Sequence, residues 1–156
     1  MDLIQFEELI NYLVDQGVQA MKNNTEETDF QIDYVGIFTK SDEEFEDMMK
    51  LTQKLGDKID IGTAKTGTTF KLAKTIKTNA GPVEYVKIRK PDPTRPQRGG
   101  PDFKINNYNK FKEKYLQKSG NFTLMIRKDY EMIELKGVDV LVYLPSKITD
   151  SRSAED

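Results

Sequence analysis

The chain has 156 residues, of which 37% are hydrophobic and 32% charged, and it carries a formal net charge of -2. This length suits one domain or two small modules that share a core. Cysteine and histidine are both absent, which excludes disulfides, zinc–thiolate sites, serine–histidine triads and histidine metal ligands. No apolar run is long enough to cross a bilayer and residues 1–10 lack a signal-peptide pattern, so we expect a cytoplasmic protein with no membrane partner.

Charge is unevenly distributed along the chain. Acidic residues outnumber basic ones about three to one in residues 1–60, whereas basic residues dominate residues 83–118. Such polarity steers an anionic ligand or a protein partner, and it is also typical of solvated helix faces that differ in sign. A protein-interaction module, including a head-to-tail homodimer, therefore stays among the alternatives.

The first half of the chain predicts two helices and four strands. Apolar residues at spacings of three and four predict an amphipathic helix over residues 2–21, and residues 32–38 are typical of a buried strand. Ser41 and Glu44 form a predicted capping box, in which each side chain accepts a backbone N–H of the other residue. The helix that follows ends at Gly56, which suits a left-handed cap. Strands at 58–64, 68–77 and 83–89 come next, separated by turns at 66–67 and 79–82.

The second half repeats this order after a proline-rich segment. Residues 91–101 contain four prolines and predict an extended connector instead of a strand. A strand at 102–106, a helix capped by Asn107 and strands at 123–127, 132–135 and 138–144 follow, with a tight hairpin at Lys136-Gly137.

These elements predict an α+β fold made of paired βαβββ modules. We expect the modules to form a curled mixed sheet with helices on its outer face, preceded by an N-terminal helix. The predicted boundaries are a helix and loop at 1–30, a first module at 31–90, a connector at 91–101, a second module at 102–145 and a disordered tail at 146–156. A single ferredoxin-like sheet is the competing interpretation, but it leaves strands over.

The alternation of side chains along the strands predicts a polar groove on the other face of the sheet. In residues 83–89, Val86 and Ile88 face one side while Tyr85, Lys87 and Arg89 face the other. Arginine suits bidentate contacts with carboxylate or phosphate, although an exposed antiparallel face is polar by default. The candidate ligand-binding residues are Tyr34, Tyr85, Lys87, Arg89, Arg95 and Arg98.

Two carboxylates are candidate catalytic groups. Phe103 and Ile105 are expected to face the helices, which places Asp102 on the groove side, and Glu134 alternates with apolar neighbours in the same way. Either carboxylate could act as a general base. The competing interpretation is that each only pairs with a nearby Lys or Arg.

The paired element order resembles the vicinal-oxygen-chelate superfamily of glyoxalases, bleomycin-resistance proteins and ring-cleaving dioxygenases. The matching stretches are Ile-Asp-Tyr-Val-Gly-Ile at 32–37 and Arg-Gly-Gly-Pro-Asp-Phe at 98–103. The chain looks most like the YecM-like group, which has an additional N-terminal helix. The resemblance covers residues 32–145 and implies the fold described above.

In members of that superfamily that use a metal, the first strand of each module supplies one ligand, usually His. Counted back from the helix caps, these positions fall on Tyr34 and Gly100, and the carboxylate position in the last strand falls near Val140 or Val142. The resemblance therefore implies the fold without its metal centre, and we expect no cofactor and no metal.

The sequence therefore predicts a protein that binds a small anionic or sugar-like ligand without a metal. The alternative from the enzyme class is a metal-independent lyase or isomerase with Asp102 or Glu134 as base. A nucleic-acid backbone could also be contacted by four cations, Lys87, Arg89, Arg95 and Arg98, with Tyr85 and Tyr108 stacked on bases. The sequence pI near 5.4 and the acidic first half disfavour that partner.

Overall fold

The computed structural model describes residues 1–60, 64–118, 120–137 and 139–148. The helices are α1 (Leu3–Asn24), α2 (Asp42–Leu55) and α3 (Tyr108–Tyr115). The strands of the first module are β1 (Phe30–Phe38), β2 (Gly56–Ile59), β3 (Gly67–Thr78) and β4 (Gly81–Arg89). Those of the second module are β5 (Gly99–Ile105), β6 (Phe122–Ile126), β7 (Glu131–Lys136) and β8 (Leu141–Pro145).

The eight strands form one mixed sheet in the order β2-β3-β4-β1-β5-β8-β7-β6. β1 runs parallel to β4, β5 runs parallel to β8, and β1 pairs with β5 in antiparallel orientation at the centre. The two modules are therefore related by a pseudo-twofold axis between β1 and β5. This arrangement confirms the predicted α+β fold of paired βαβββ modules with an N-terminal helix.

All three helices pack on one face of the sheet. The main core combines buried residues of α1 such as Phe6 and Ile10 with strand residues such as Val86 and Phe103. Phe111 and Tyr115 bring α3 into the same core, so the opposite face, called the open face below, carries no helix among the described residues. Burial of this apolar surface is the main contribution that holds the layers together.

Close contact between α1 and the sheet depends on Gly17. A Cβ atom at this position would lie 2.7 Å from Pro101 Cγ and 2.9 Å from Phe103 Cε2. The missing side chain lets the helix backbone approach β5 directly. α1 itself begins with a capping box, in which Asp2 and Gln5 each accept the backbone N–H of the other.

Several predicted boundaries were wrong. The connector was expected to extend to Pro101 without a strand, but β5 already begins at Gly99. Pro101 is tolerated there, although proline cannot donate to the ladder. Gly56 has an extended backbone with φ -173° and opens β2 instead of forming a left-handed cap.

Other differences are smaller. The Glu44 carboxylate accepts the N–H of Lys40 instead of that of Ser41, although the Ser41 hydroxyl accepts from Glu44 as predicted. The β7–β8 connection is closed by the Gly137 N–H bonded to the Val140 carbonyl, so it is longer than the two-residue hairpin expected. Residues 61–63, 138 and 149–156 lie outside the described part of the chain, and with them parts of two predicted strands and most of the predicted tail.

Within the described residues, no helix combines the length and the apolar character needed to span a bilayer.

Candidate functional site

A cavity of about 350 Å³ opens on the open face, across the junction of the two modules. Its lining comes from β1, β4, β5, β7 and β8 and from three loops. The lining residues are Tyr34, Gly36, Phe38, Lys65, Thr66, Lys87, Arg89, Arg95, Gly100, Asp102, Arg127, Tyr130, Met132 and Tyr143. Strand alternation explains which strand residues belong to the lining, because the residues between them, such as Val35, Ile37 and Ile88, are fully buried in the helix-side core.

Two glycines meet at the floor of the cavity. Gly36 of β1 and Gly100 of β5 are direct partners in the ladder. The rings of Tyr143 and Phe38 lean over Gly100, where a Cβ would be 2.7 Å and 3.2 Å from their nearest atoms. Above Gly36 a Cβ would have only ordinary contacts of 3.5 Å or more. Gly100 therefore makes room for the two rings, whereas no such crowding surrounds Gly36.

Two charged side chains are almost completely buried at this site. Lys87 is 4% exposed and Asp102 is 2% exposed. The Lys87 ammonium donates a hydrogen bond to the Thr66 hydroxyl, which ties the strand to the loop before β3. Buried charges are retained only where partners offset their desolvation, so both residues belong to an ordered polar arrangement.

The pseudo-twofold axis relates Lys87 to Tyr143. Ser41 and Asn107 are the equivalent helix caps of the two modules, and the same offset in residue number makes Gly36 equivalent to Asp102. Gly36 pairs with Lys87 on β4, and Asp102 pairs with Tyr143 on β8. Equivalent positions thus carry an ammonium group in the first module and a phenol in the second.

The charge of the lining is strongly positive. Among the described residues it contains five Lys or Arg side chains and a single carboxylate, Asp102. The guanidinium of Arg89 lies 4.7 Å from the centre of the Phe38 ring, in cation–π contact. This contact orients one cation at the edge of the cavity.

A hydrogen-bonded turn in the connector places Arg95 at the cavity. Its guanidinium pairs with Glu134 at 3.5 Å and donates to the Tyr143 hydroxyl at 3.3 Å. The backbone of the turn is held by the Arg95 N–H to Asp92 carbonyl bond. The Lys40 ammonium adds hydrogen bonds to three successive carbonyls, those of residues 95, 96 and 97, at 3.3, 3.1 and 2.5 Å.

Burial raises the pKa of Tyr143 to about 12. The positive charges of Arg95 and Arg89 lower this pKa, whereas the negative charges of Glu134 and Asp102 raise it. The phenol therefore stays protonated at neutral pH and is available as a neutral hydrogen-bonding group.

The structure brings five of the eight predicted site residues to the cavity: Tyr34, Lys87, Arg89, Arg95 and Asp102. The other three lie outside its lining. Tyr85 packs against Tyr34 and Ile59. Arg98 forms a bidentate ion pair with Glu44, at 2.6 and 3.2 Å, and donates to the Phe38 carbonyl, so it ties the connector to α2. Glu134 is held in the ion pair with Arg95.

Sequence reasoning found Asp102 of β5 and Arg95 of the connector, but it missed the other side chains that the second half of the sheet and the loops contribute. Met132 and Tyr143 alternate with the core residues Ile133 and Val142, so the same alternation rule could have found them. Lys65 and Thr66 lie in a short 3-10 helix and Arg127 directly follows β6, at positions that no periodicity predicts.

The lining does not offer a cluster of metal donors. In the described parts of the chain, no group of three or more His, Cys, Asp or Glu side chains is placed to hold a metal ion. Tyr34 and Gly100 line the cavity as expected for the resemblance. In the last strand, however, Tyr143 faces the cavity, while Val140 and Val142 are in the helix-side core, so the expected position there was wrong.

No protein-family model matches the chain, and no curated protein matches it either. The chain is similar in structure to a solved protein titled "Structural Genomics, Protein EC4020", with a TM-score of 0.69 and 8% sequence identity. The match covers 92% of this chain and 88% of the other. At this identity the likeness shows a common fold and nothing about function.

Proposed function

We propose that the cavity binds a small anionic ligand through protein cations, independently of a metal. The observation that supports this is the lining itself, with five cationic side chains and one carboxylate around a volume of about 350 Å³. That volume lies within the usual range for small-molecule sites, about 300–1,000 Å³. A bound anion would relieve repulsion among the cations and gain charge-assisted hydrogen bonds.

The cations are already oriented for this role. Arg89 is fixed by the Phe38 ring, Arg95 by Glu134 and Tyr143, and Lys87 by Thr66. A site whose side chains are ordered before binding loses less conformational entropy on association. This preorganisation favours a specific ligand site over a diffuse basic surface.

The proposal is tested with acetate, citrate and inorganic phosphate, each compared with sodium chloride at equal ionic strength. We expect at least one of the three to raise the melting temperature more than chloride does, because a ligand that binds only the folded state stabilises it by mass action. The rise is expected to be lost in Lys87→Met and Arg89→Ala.

Lys71→Met is the matched control. Lys71 is opposite Tyr85 in the β3–β4 ladder, on the same face of the sheet, but it pairs with Glu84 outside the cavity. The site would be refuted if all three anions changed the melting temperature of the wild type as chloride does. It would also be refuted if Lys71→Met and Lys87→Met lost the anion-dependent rise in melting temperature equally.

A second candidate is an enzyme of the lyase or isomerase type with Asp102 as general base. The supporting observation is that this carboxylate is 2% exposed and lines the same cavity as the cations, which would stabilise negative charge on a substrate. Glu134 is the less suitable candidate because its carboxylate is paired with Arg95 and does not line the cavity. Deuterium uptake from heavy water into the methyl group of pyruvate would test this function. Uptake unchanged in Asp102→Asn would count against it.

Kinship with the vicinal-oxygen-chelate superfamily is part of the proposal. Its support is the pairing of two βαβββ modules about a pseudo-twofold axis, with the cavity across their junction. On this proposal the metal site of the family has been replaced by Lys87, Arg89 and Arg95, and anion binding should be insensitive to chelators.

A further inference from the structure

The open face carries an apolar cluster that the helices do not cover. Phe38, Met132, Leu141 and Tyr143 are each less than 9% exposed and pack together, separately from the main core. An uncovered sheet face normally presents polar side chains to water. Here apolar side chains take their place, and those that line the cavity offer a ligand apolar contacts.

This cluster forms one wall of the cavity. Phe38, Met132 and Tyr143 line it, and the partly buried Tyr130 extends the wall at the β6–β7 turn. Cationic side chains surround this wall. Lys87 of β4 and Lys65, in the short 3-10 helix before β3, lie on the first-module side. Arg95 of the connector contacts Tyr143, and Arg127 follows β6 in the second module. Arg89 stacks on the Phe38 ring, so charge and apolar surface also meet there.

We infer that the ligand is an organic anion with a flat apolar body, such as an aryl carboxylate. Its charged group would contact Lys87 and Arg89, and its apolar body would lie against Met132 and Tyr143. A free phosphate would leave this wall unused, because it has no apolar surface to lie against Phe38 and Met132. The inference rests on the proposed function and adds the chemical class of the ligand.

A series of monocarboxylates with the same charge tests the inference. Affinities for acetate, cyclohexanecarboxylate, benzoate and 2-naphthoate are measured by NMR titration of the wild-type protein. We expect Kd to fall at least tenfold from acetate to benzoate, since each buried CH₂ equivalent contributes about 0.8 kcal/mol and a tenfold change is about 1.4 kcal/mol. Equal affinities along the series would overturn the inference while leaving anion binding intact. Failure of every carboxylate and of phosphate to bind would overturn the proposed function together with it.

Two methionines provide a matched pair of variants. Met132 and Met125 face each other across the β6–β7 ladder and belong to the same cluster, but only Met132 lines the cavity. We expect Met132→Ala to weaken benzoate binding about fivefold to tenfold and acetate binding less than twofold. Met125→Ala should leave both affinities unchanged. Equal losses for acetate and benzoate in Met132→Ala, or equal effects of the two variants, would overturn the assignment of the apolar wall.

Discussion

Substituting the two glycines at the cavity centre by alanine should have opposite effects on stability. In Gly100→Ala the new methyl group would lie 2.7 Å from the Tyr143 ring and 3.1 Å from the Leu141 carbonyl oxygen. Tyr143 is 8% exposed, so its ring has little room to withdraw. Overpacking of this kind costs about 1–3 kcal/mol. In Gly36→Ala the nearest atoms are 3.5 and 3.6 Å away, which is ordinary contact.

Gly36→Ala should therefore be neutral or stabilising by about 0.5 kcal/mol, because alanine loses less backbone entropy than glycine in a strand. The two variants would then differ by about 2 kcal/mol in the free energy of unfolding. Urea denaturation measures this as a difference of about 1 M between midpoints at an unchanged m-value. The two glycines are direct ladder partners, so strand propensity cancels in the comparison. Equal destabilisation of both variants would refute the steric account of the cavity floor.

Three further predictions concern the parts that position the site. Burial raises the pKa of Glu44, but the Arg98 hydrogen bond and the Lys40 N–H together outweigh it and hold this pKa below its ordinary value. The stability that the Arg98–Glu44 pair contributes is therefore full above the unfolded-state pKa of Glu44 and is lost as pH falls through the folded-state pKa. Arg98→Met should lower the free energy of unfolding by about 1–2 kcal/mol at pH 7, and an equal loss at pH 3 would contradict an origin in the ion pair. Lys40 holds the turn that carries Arg95, so Lys40→Met should weaken anion binding severalfold in the wild-type background but not in an Arg95→Ala background. Titration calorimetry measures both affinities. Equal losses of affinity in the two backgrounds would show that Lys40 does not act through Arg95. Gly17→Ala should lower the melting temperature despite alanine's helix propensity, because its Cβ would lie 2.7 Å from Pro101, and a rise would contradict the close packing.

The sequence was sufficient to predict the fold because local signals agreed with one another. The cap at Asn107, the turn at Gly81 with φ 106° and the alternation around Val86 all reappear in the structure. Boundaries were wrong where a residue's usual preference was overridden by ladder contacts, as at Pro101 and Gly56. Local propensity cannot predict such cases, because neighbouring strands decide them.

The site was only partly predictable for a different reason. Alternation identifies the face to which a strand residue belongs, and it placed Lys87 and Asp102 correctly. It cannot tell which of the residues on that face meet. Arg98 was expected in the groove because of its charge, but the connector turns it towards Glu44. Arg95, three residues earlier, is turned into the cavity by the same segment.

The two modules share one architecture but contribute different chemistry to the cavity. At equivalent positions beside the axis, the first module presents the ammonium of Lys87 and the second presents the phenol of Tyr143. Met132 extends the apolar side of the second module, and Lys65 extends the charged side of the first. Arg95 and Arg127 add positive charge beside the apolar side chains of the second module. A ligand made only of charged groups or only of apolar groups would therefore leave part of the lining unused. A molecule with a charged group and an apolar body satisfies both kinds of side chain, and this is why we assign the cavity to an amphipathic anion.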